Sequence, residues 1–176
     1  SVQSFVSDVK KDLQMKKEQA SIPLSHAPGQ AQADFGEAVF EENGKRFTGF
    51  YFNLSFPYSN GGYTQIFKGQ NQECLLQAMK QIFDHLKRVP AVILFDNLSA
   101  AVKQIKKDGG RKLVEQFSRF AAHYGFQSNF CNPGKGNEKG NVEAKVGYHR
   151  RNLFVPMPVF EDVEVYNQEL FEQCDR

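Results

Sequence analysis

Three carboxylates set the chemical possibilities of this 176-residue chain: Asp34 in AQADFGEAVF, Asp96 at the end of AVILFDN, and Glu143 in EKGNVEAKVGYHRR. Carboxylate oxygens are the ligands that hard divalent cations such as Mg²⁺ and Mn²⁺ prefer. Two such ions about 3.5–4 Å apart can activate an attacking oxygen and stabilise a leaving one on opposite sides of a phosphorus, which is phosphodiester chemistry. Three side chains suffice, because waters and the substrate phosphate complete the coordination. Taken alone, each acid has an ordinary reading: Asp34 as an exposed strand residue, Asp96 as a helix N-cap for the segment from Leu98, and Glu143 as the i−4 partner of Lys139. Glu138, in the loop before Glu143, is an alternative third ligand. The joint reading is favoured because all three fall in suitable elements and in a suitable order.

The stretch carrying Asp96 reads as a buried strand, with five apolar residues, β-branched Val92 and Ile93 among them, running from Pro90 into the acid. A carboxylate at such a strand end is costly to bury, so it belongs where it can reach solvent, a metal ion or a helix N-terminus. Asp34 lies in the first of two strands, Gln30–Phe40 and Arg46–Phe56, joined at Asn43-Gly44, a strong hairpin signal. Phe50, Phe52, Leu54 and Phe56 alternate along the second, which predicts one buried face. A third strand, Tyr63–Phe67, follows Asn60-Gly61-Gly62. Leu75, Leu76, Met79, Ile82, Phe83 and Leu86 then form a helical stripe, with Asn71 as N-cap and Pro90 beyond its end. The strand to Asp96 is expected to run parallel to the first, bringing Asp34 and Asp96 onto adjacent strands.

Residues 98–110 read as a basic, mobile segment. A second amphipathic helix, with Leu113, Val114, Phe117, Phe120, Ala121 and Tyr124 on its apolar stripe, ends at Gly125, and Phe126–Cys131 is a last short strand. The loop CNPGKGNEKG contains no G-x-x-x-x-G-K-[ST] phosphate cradle. It leads into a helical pattern from Asn141, on which Lys139, Glu143 and Arg150 share a face. The expected fold class is therefore α/β: a mixed five-stranded sheet, three antiparallel strands and then parallel ones, flanked by helices.

The formal net charge of +2 averages two unlike parts. Residues 1–159 hold 21 Lys and Arg against 14 Asp and Glu, whereas residues 160–176 hold one Arg against six acids. A basic body with an acidic tail suits a polyanion-binding domain. Basic residues flanking the acids, Lys103, Lys106, Lys107, Lys135, Lys139, Lys145, Arg150 and Arg151, are candidates for contacts to DNA phosphates, which would be largely independent of sequence. Domain boundaries are expected at residues 1–28 for an N-terminal helix and linker, 29–155 for the core, and 156–176 for an acidic extension or a linker. The chain begins at Ser, as a piece of a longer protein would. Cys74, Cys131 and Cys174 show no C-x-x-C and no neighbouring His cluster, which argues against a zinc site or disulfide framework and for a reducing compartment. His26, His85, His123 and His149 are scattered, and Cys131 has no base partner that would make it a nucleophile. No run is long enough to cross a bilayer.

QADFGE around Asp34, FDNLSAAV around Asp96, F-x-x-F-A-x-H-Y-G-F before the last strand and C-N-P-x-x-x-x-x-K-G-x-V-E at Glu143 together resemble the catalytic domain of DDE transposases in the retroviral-integrase superfamily, in particular IstA-type transposases of bacterial insertion sequences. The resemblance covers about residues 28–155. It implies an RNase H-like fold that cuts transposon ends and joins the freed 3′-hydroxyls to target DNA, with Asp34, Asp96 and Glu143 holding two Mg²⁺ ions that Mn²⁺ can replace. It also implies an IstB-type AAA+ ATPase partner, a homo-oligomer on DNA ends, and a bacterial cytoplasmic, nucleoid-associated setting. Two other readings compete: an RNase H-like nuclease or resolvase that only hydrolyses, and a non-catalytic DNA-binding assembly module of the same fold.

Overall fold

A computed structural model of the chain describes residues 27–96, 102–105, 111–131 and 152–176. Strand β1 (Gln30–Glu42) turns at Asn43-Gly44 into β2 (Lys45–Phe56). Both turn residues have positive φ, 50° and 73°, the conformation a two-residue hairpin turn needs to match strand twist. A second turn, with Asn60 also at positive φ, leads into β3 (Gly61–Phe67). Helix α1 (Gln72–Leu86) starts where the Asn71 side chain accepts the Cys74 amide at 2.9 Å, satisfying one of the first-turn donors. Strand β4 (Val92–Phe95) follows. Next come a two-stranded antiparallel ribbon, β5 (Val102–Ile105) with β6 (Arg111–Leu113), and helix α2 (Glu115–Tyr124), closed by Gly125 at φ 73°. Strands β7 (Gln127–Phe130) and β8 (Val159–Phe160) and helix α3 (Val163–Cys174) complete the described chain.

The main sheet has the order β3-β2-β1-β4-β7, with β8 added along the far end of β1. β1, β2 and β3 are antiparallel, and β1, β4 and β7 are parallel. The expected five-stranded mixed sheet is present, with the short β8 as a sixth strand. One face packs on α1 and α2 through Ala31, Ala33, Phe35, Phe52, Leu54, Met79, Ile82, Phe95, Phe117 and Phe126. The opposite face holds a second cluster of Phe40, Tyr51, Ile66, Phe154, Phe160 and Leu170.

Several expectations are corrected. The segment read as mobile contributes β5 to a ribbon, because Val102–Ile105 finds a partner strand at Arg111–Leu113 that local sequence does not reveal. Leu113 belongs to β6 and Val114 is the α2 N-cap, so the helix starts at Glu115. β2 is buried on both faces rather than one: Tyr51, Asn53 and Ser55 are as enclosed as Phe52 and Leu54. The second face is covered partly by the acidic segment 156–176. That segment packs on the sheet as β8 and α3.

Helix α3 closes the β3 edge of the sheet. Its neighbours Leu170 and Phe171 enter different hydrophobic clusters, so the helix straddles the edge and seals both faces. An edge strand presents unpaired backbone groups, and at Ile66 these are met by one side chain. Asn167 Oδ1 accepts the Ile66 N–H at 2.7 Å and Asn167 Nδ2 donates to the Ile66 carbonyl at 3.0 Å. Further along, the Tyr63 hydroxyl donates to Asp175 at 2.6 Å, and His85 of α1 stacks on Phe171 while meeting the same carboxylate at 3.0 Å. The Tyr63 hydrogen bond, and then that of His85, hold the Asp175 carboxyl below its ordinary value of 3.8. Burial, and then the Asp175 carboxylate, push the Tyr63 hydroxyl upward.

Replacing Asn167 by Leu keeps the volume but leaves the Ile66 N–H and C=O unpaired in a buried setting. Urea unfolding should show a loss of about 2–6 kcal/mol, at roughly 1–3 kcal/mol for each of the two orphaned groups. Because the folded pKa of Asp175 is depressed, its contribution is present above its ordinary pKa and is lost as pH falls through the folded value. Asp175→Asn should therefore be less stable than wild type at pH 7 and should show a flatter decline below about pH 4, measured by thermal unfolding across a pH series.

Candidate active site

The pairing of β1 with β4 brings two of the three predicted acids together. Gln30 to Ala33 lie beside Val92 to Phe95 in register, and the Asp96 amide donates to the Ala33 carbonyl at 3.2 Å. Asp34 and Asp96 are thus the next pair along neighbouring strands, about 4.8 Å apart at the backbone. Ala33 and Phe95 point into the helix-covered core. Side chains alternate along a strand, so the two acids leave the sheet together on the opposite face. Both are half-buried. The Phe35 amide donates to Asp34 Oδ1 at 2.8 Å, which fixes one carboxylate oxygen.

On this face the row continues across the sheet: Asn53 of β2 is the register partner of Asp34, and Thr64 of β3 is the partner of Asn53. One step back along the strands stand Gln32 and Ser55. All four polar residues are at most 4% exposed. Thr64 Oγ1 donates to the Phe52 carbonyl at 3.0 Å, and Ser55 Oγ to the Gln32 carbonyl at 3.4 Å. Sequence reading passed over this polar lining. Its signal was available in the alternate positions of β1 and β2, where Gln32, Asp34, Asn53 and Ser55 occupy places that would be apolar if the second face were an ordinary core.

Asp34 and Asp96 offer two hard oxygen donors on rigid, adjacent backbones, a set that fits Mg²⁺ or Mn²⁺ and not a soft metal. Among the described residues, no group of three or more His, Cys, Asp or Glu side chains is arranged to hold a metal ion. Glu143 and the alternative Glu138 lie outside the described residues, as do Lys106, Lys107, Lys135, Lys139, Lys145, Arg150 and Arg151. Lys103 is placed on β5, in the ribbon that follows Asp96. The two ends of the span containing Glu143 are nevertheless anchored beside the acids. At its start, the Cys131 amide donates to the Phe95 carbonyl at 3.0 Å. At its return, Phe154 packs on Tyr51 at 4.9 Å between ring centroids, and the Tyr51 ring sits against Gly36, where any Cβ would fall 2.2 Å from it. Gly36 is two residues beyond Asp34.

Other candidate groups have structural employment. His85 belongs to the α1–α3 contact described above, and His123 packs edge-on against Tyr124 on the surface of α2. Cys131 is buried, and Cys74 and Cys174 are unbonded thiols. Burial pushes the Cys174 thiol up, with a hydrogen bond from the Thr64 backbone acting against it. His26 and His149 lie outside the described residues.

No family model matches the chain. A transposase of Aminobacter aminovorans is 30% identical over 170 residues, covering 95% of this chain and 33% of its own. The transposase of insertion sequences IS1326/IS1353 from Pseudomonas aeruginosa is 29% identical over 170 residues, covering 93% and 34%. The IS21 transposase of Pseudomonas aeruginosa is 29% identical over 147 residues, covering 80% and 36%. The chain thus spans about a third of the length of these relatives. Among solved structures, the HTLV-2 integrase catalytic core in complex with magnesium superposes with a TM-score of 0.50 at 18% identity, over 67% of this chain and 64% of that one. The catalytic core of BIV integrase gives 0.50 at 11%, over 74% and 73%. The relatives in sequence are insertion-sequence transposases and the neighbours in fold are integrase catalytic cores, so the chain has an RNase H-like sheet and is similar to DDE transposase and integrase domains.

Proposed function

We propose that this chain is the catalytic domain of an insertion-sequence transposase, cutting transposon ends and joining their 3′-hydroxyls to target DNA. The observation that carries the reading is the side-by-side placement of Asp34 and Asp96 on one face of the sheet. The two carboxylates would hold divalent ions, two Mg²⁺ with Mn²⁺ as a substitute. Such ions, when bound, activate the attacking oxygen and stabilise the leaving one. The HTLV-2 integrase catalytic core, a neighbour in fold, is in complex with magnesium, which supports the choice of metal.

The part of the chain itself is positional. The Phe35 amide orients Asp34, and the β1–β4 register fixes the spacing of the pair before substrate arrives. Glu143 is proposed as the third ligand. It lies twelve residues past Cys131 and nine before Asn152, within easy reach of the acids given the anchoring of both ends. Lys103, Lys106, Lys107, Lys135, Lys139, Lys145, Arg150 and Arg151 are proposed to contact DNA phosphates along this face, with transposon ends and target DNA as the two substrates. Homo-oligomer assembly on DNA ends and an IstB-type AAA+ ATPase partner are part of the same proposal, supported by the similarity to the IS21 transposase. Among the described residues no helix is long and apolar enough to cross a membrane, and a nucleoid-associated, cytoplasmic setting is part of the same proposal.

Pre-cut transposon ends incubated with plasmid and Mg²⁺ or Mn²⁺ should be joined by wild type. Asp34→Asn, Asp96→Asn and Glu143→Gln should each lose activity by about a thousandfold, the equivalent of several kcal/mol of metal-dependent stabilisation. Metal-dependent nicking without joining would identify a hydrolytic nuclease, and DNA binding with neither would identify an assembly module.

Replacing both Lys106 and Lys107 by Ala should weaken binding to all DNA sequences alike. It should also lower the slope of log K against log salt by about 2, at about 0.9 per phosphate contact.

A further inference from the structure

Gln32 is a buried polar residue that the fold does not provide for. It stands on β1 two positions before Asp34, is 4% exposed, and pairs in register with Ser55 of β2 and Leu94 of β4. Strand alternation puts its side chain on the same face as Asp34 and Asp96. Its Oε1 is sealed from solvent and has no hydrogen-bond partner among the described residues. Ser55 and Thr64, on the same face, each donate to a backbone carbonyl instead. A buried orphan acceptor costs stability that an apolar residue of the same size would not, and Leu94 alongside shows that this face accepts one.

We propose that Gln32 is a positioning residue for the metal site: its Oε1 accepts a hydrogen bond from a water bound to the ion that Asp34 and Asp96 hold. The inference rests on the metal-dependent reading of that carboxylate pair. Residues two apart on a strand lie about 6.6 Å from each other. An ion-to-water distance of about 2.1 Å and a water-to-oxygen distance of about 2.8 Å span much of that interval, and the extended carboxamide covers the rest. The polarity is also right. A metal-bound water offers protons and needs acceptors, as Oε1 is, whereas a phosphate oxygen would need a donor. By fixing that water, Gln32 would set the orientation of the ion's outer ligands, a role whose removal elsewhere weakens metal binding by about ten- to a hundredfold.

The test combines Mn²⁺ titration of the DNA-free protein by calorimetry with thermal unfolding in the absence of metal, for wild type, Gln32→Leu, Gln32→Glu and Asp96→Asn. Gln32→Leu should unfold at the same or a higher temperature than wild type and bind Mn²⁺ about tenfold more weakly. Gln32→Glu keeps an acceptor oxygen and adds charge, so it should bind Mn²⁺ at least as tightly as wild type while unfolding earlier without metal. Opposite movements of stability and metal affinity are not what a packing residue would give. Wild-type Mn²⁺ affinity in Gln32→Leu overturns the assignment of Gln32 alone, provided that Asp96→Asn has lost binding. If wild type and Asp96→Asn bind alike, or neither binds, the carboxylate-pair reading has failed and the role of Gln32 falls with it.

Discussion

The parallel pairing of β1 with β4 is the constraint on which the rest of the structure depends. Ala33 and Phe95, the last register pair before the acids, are both fully buried. Phe95 is held from below by Phe117 at 5.3 Å, edge to face, and by Phe130 at 5.4 Å, stacked. A slip of one residue would turn Phe95 out of this aromatic layer and Asp96 into it. The hydrophobic effect acting on one face of the sheet therefore positions the carboxylates on the other. Helices α1 and α2 contribute to the site without touching it, because the layer they bury makes the register the only stable one.

The C-terminal segment makes the other face possible. Without α3, the strand edge at β3 and the cluster around Phe40, Tyr51 and Ile66 would meet water. Asn167 takes the place of a neighbouring strand at Ile66, and the Tyr63–Asp175–His85 contacts tie the far end of α3 to both β3 and α1. The helix is polar on its outer side, which explains how a segment with six acids and one Arg can still be part of the packed body. Glu164, Glu169 and Glu172 are exposed, and its apolar residues divide between two clusters.

On the same face as the second apolar cluster runs a strip of buried polar side chains, Asn53, Thr64, Ser55 and Gln32, beside the carboxylate pair. A sheet face selected for stability alone would not carry it. Polar groups so placed lower stability unless each finds a partner, and they keep the surroundings of the acids from becoming a hydrocarbon medium in which charge could not be held. The strip is the physical boundary between the part of the domain that folds and the part equipped for chemistry.

Much of this was legible in the chain. The Asn43-Gly44 hairpin, the Asn71 cap, the Gly125 terminator and the apolar run into Asp96 are decided by residues within a few positions of one another, and the structure has them where local chemistry places them. Even the adjacency of Asp34 and Asp96 could be anticipated from strand order. What only the tertiary structure decided was register and coverage: that Asp34 and Asp96 stand level, that Asn53 and Thr64 extend their row, that Val102–Ile105 pairs with Arg111–Leu113, and that residues 159–174 cover a face which alternation in β2 had left open. Each of these depends on contacts between residues far apart in sequence. Their energy comes from burying a whole face at once, and no local window of residues contains that quantity.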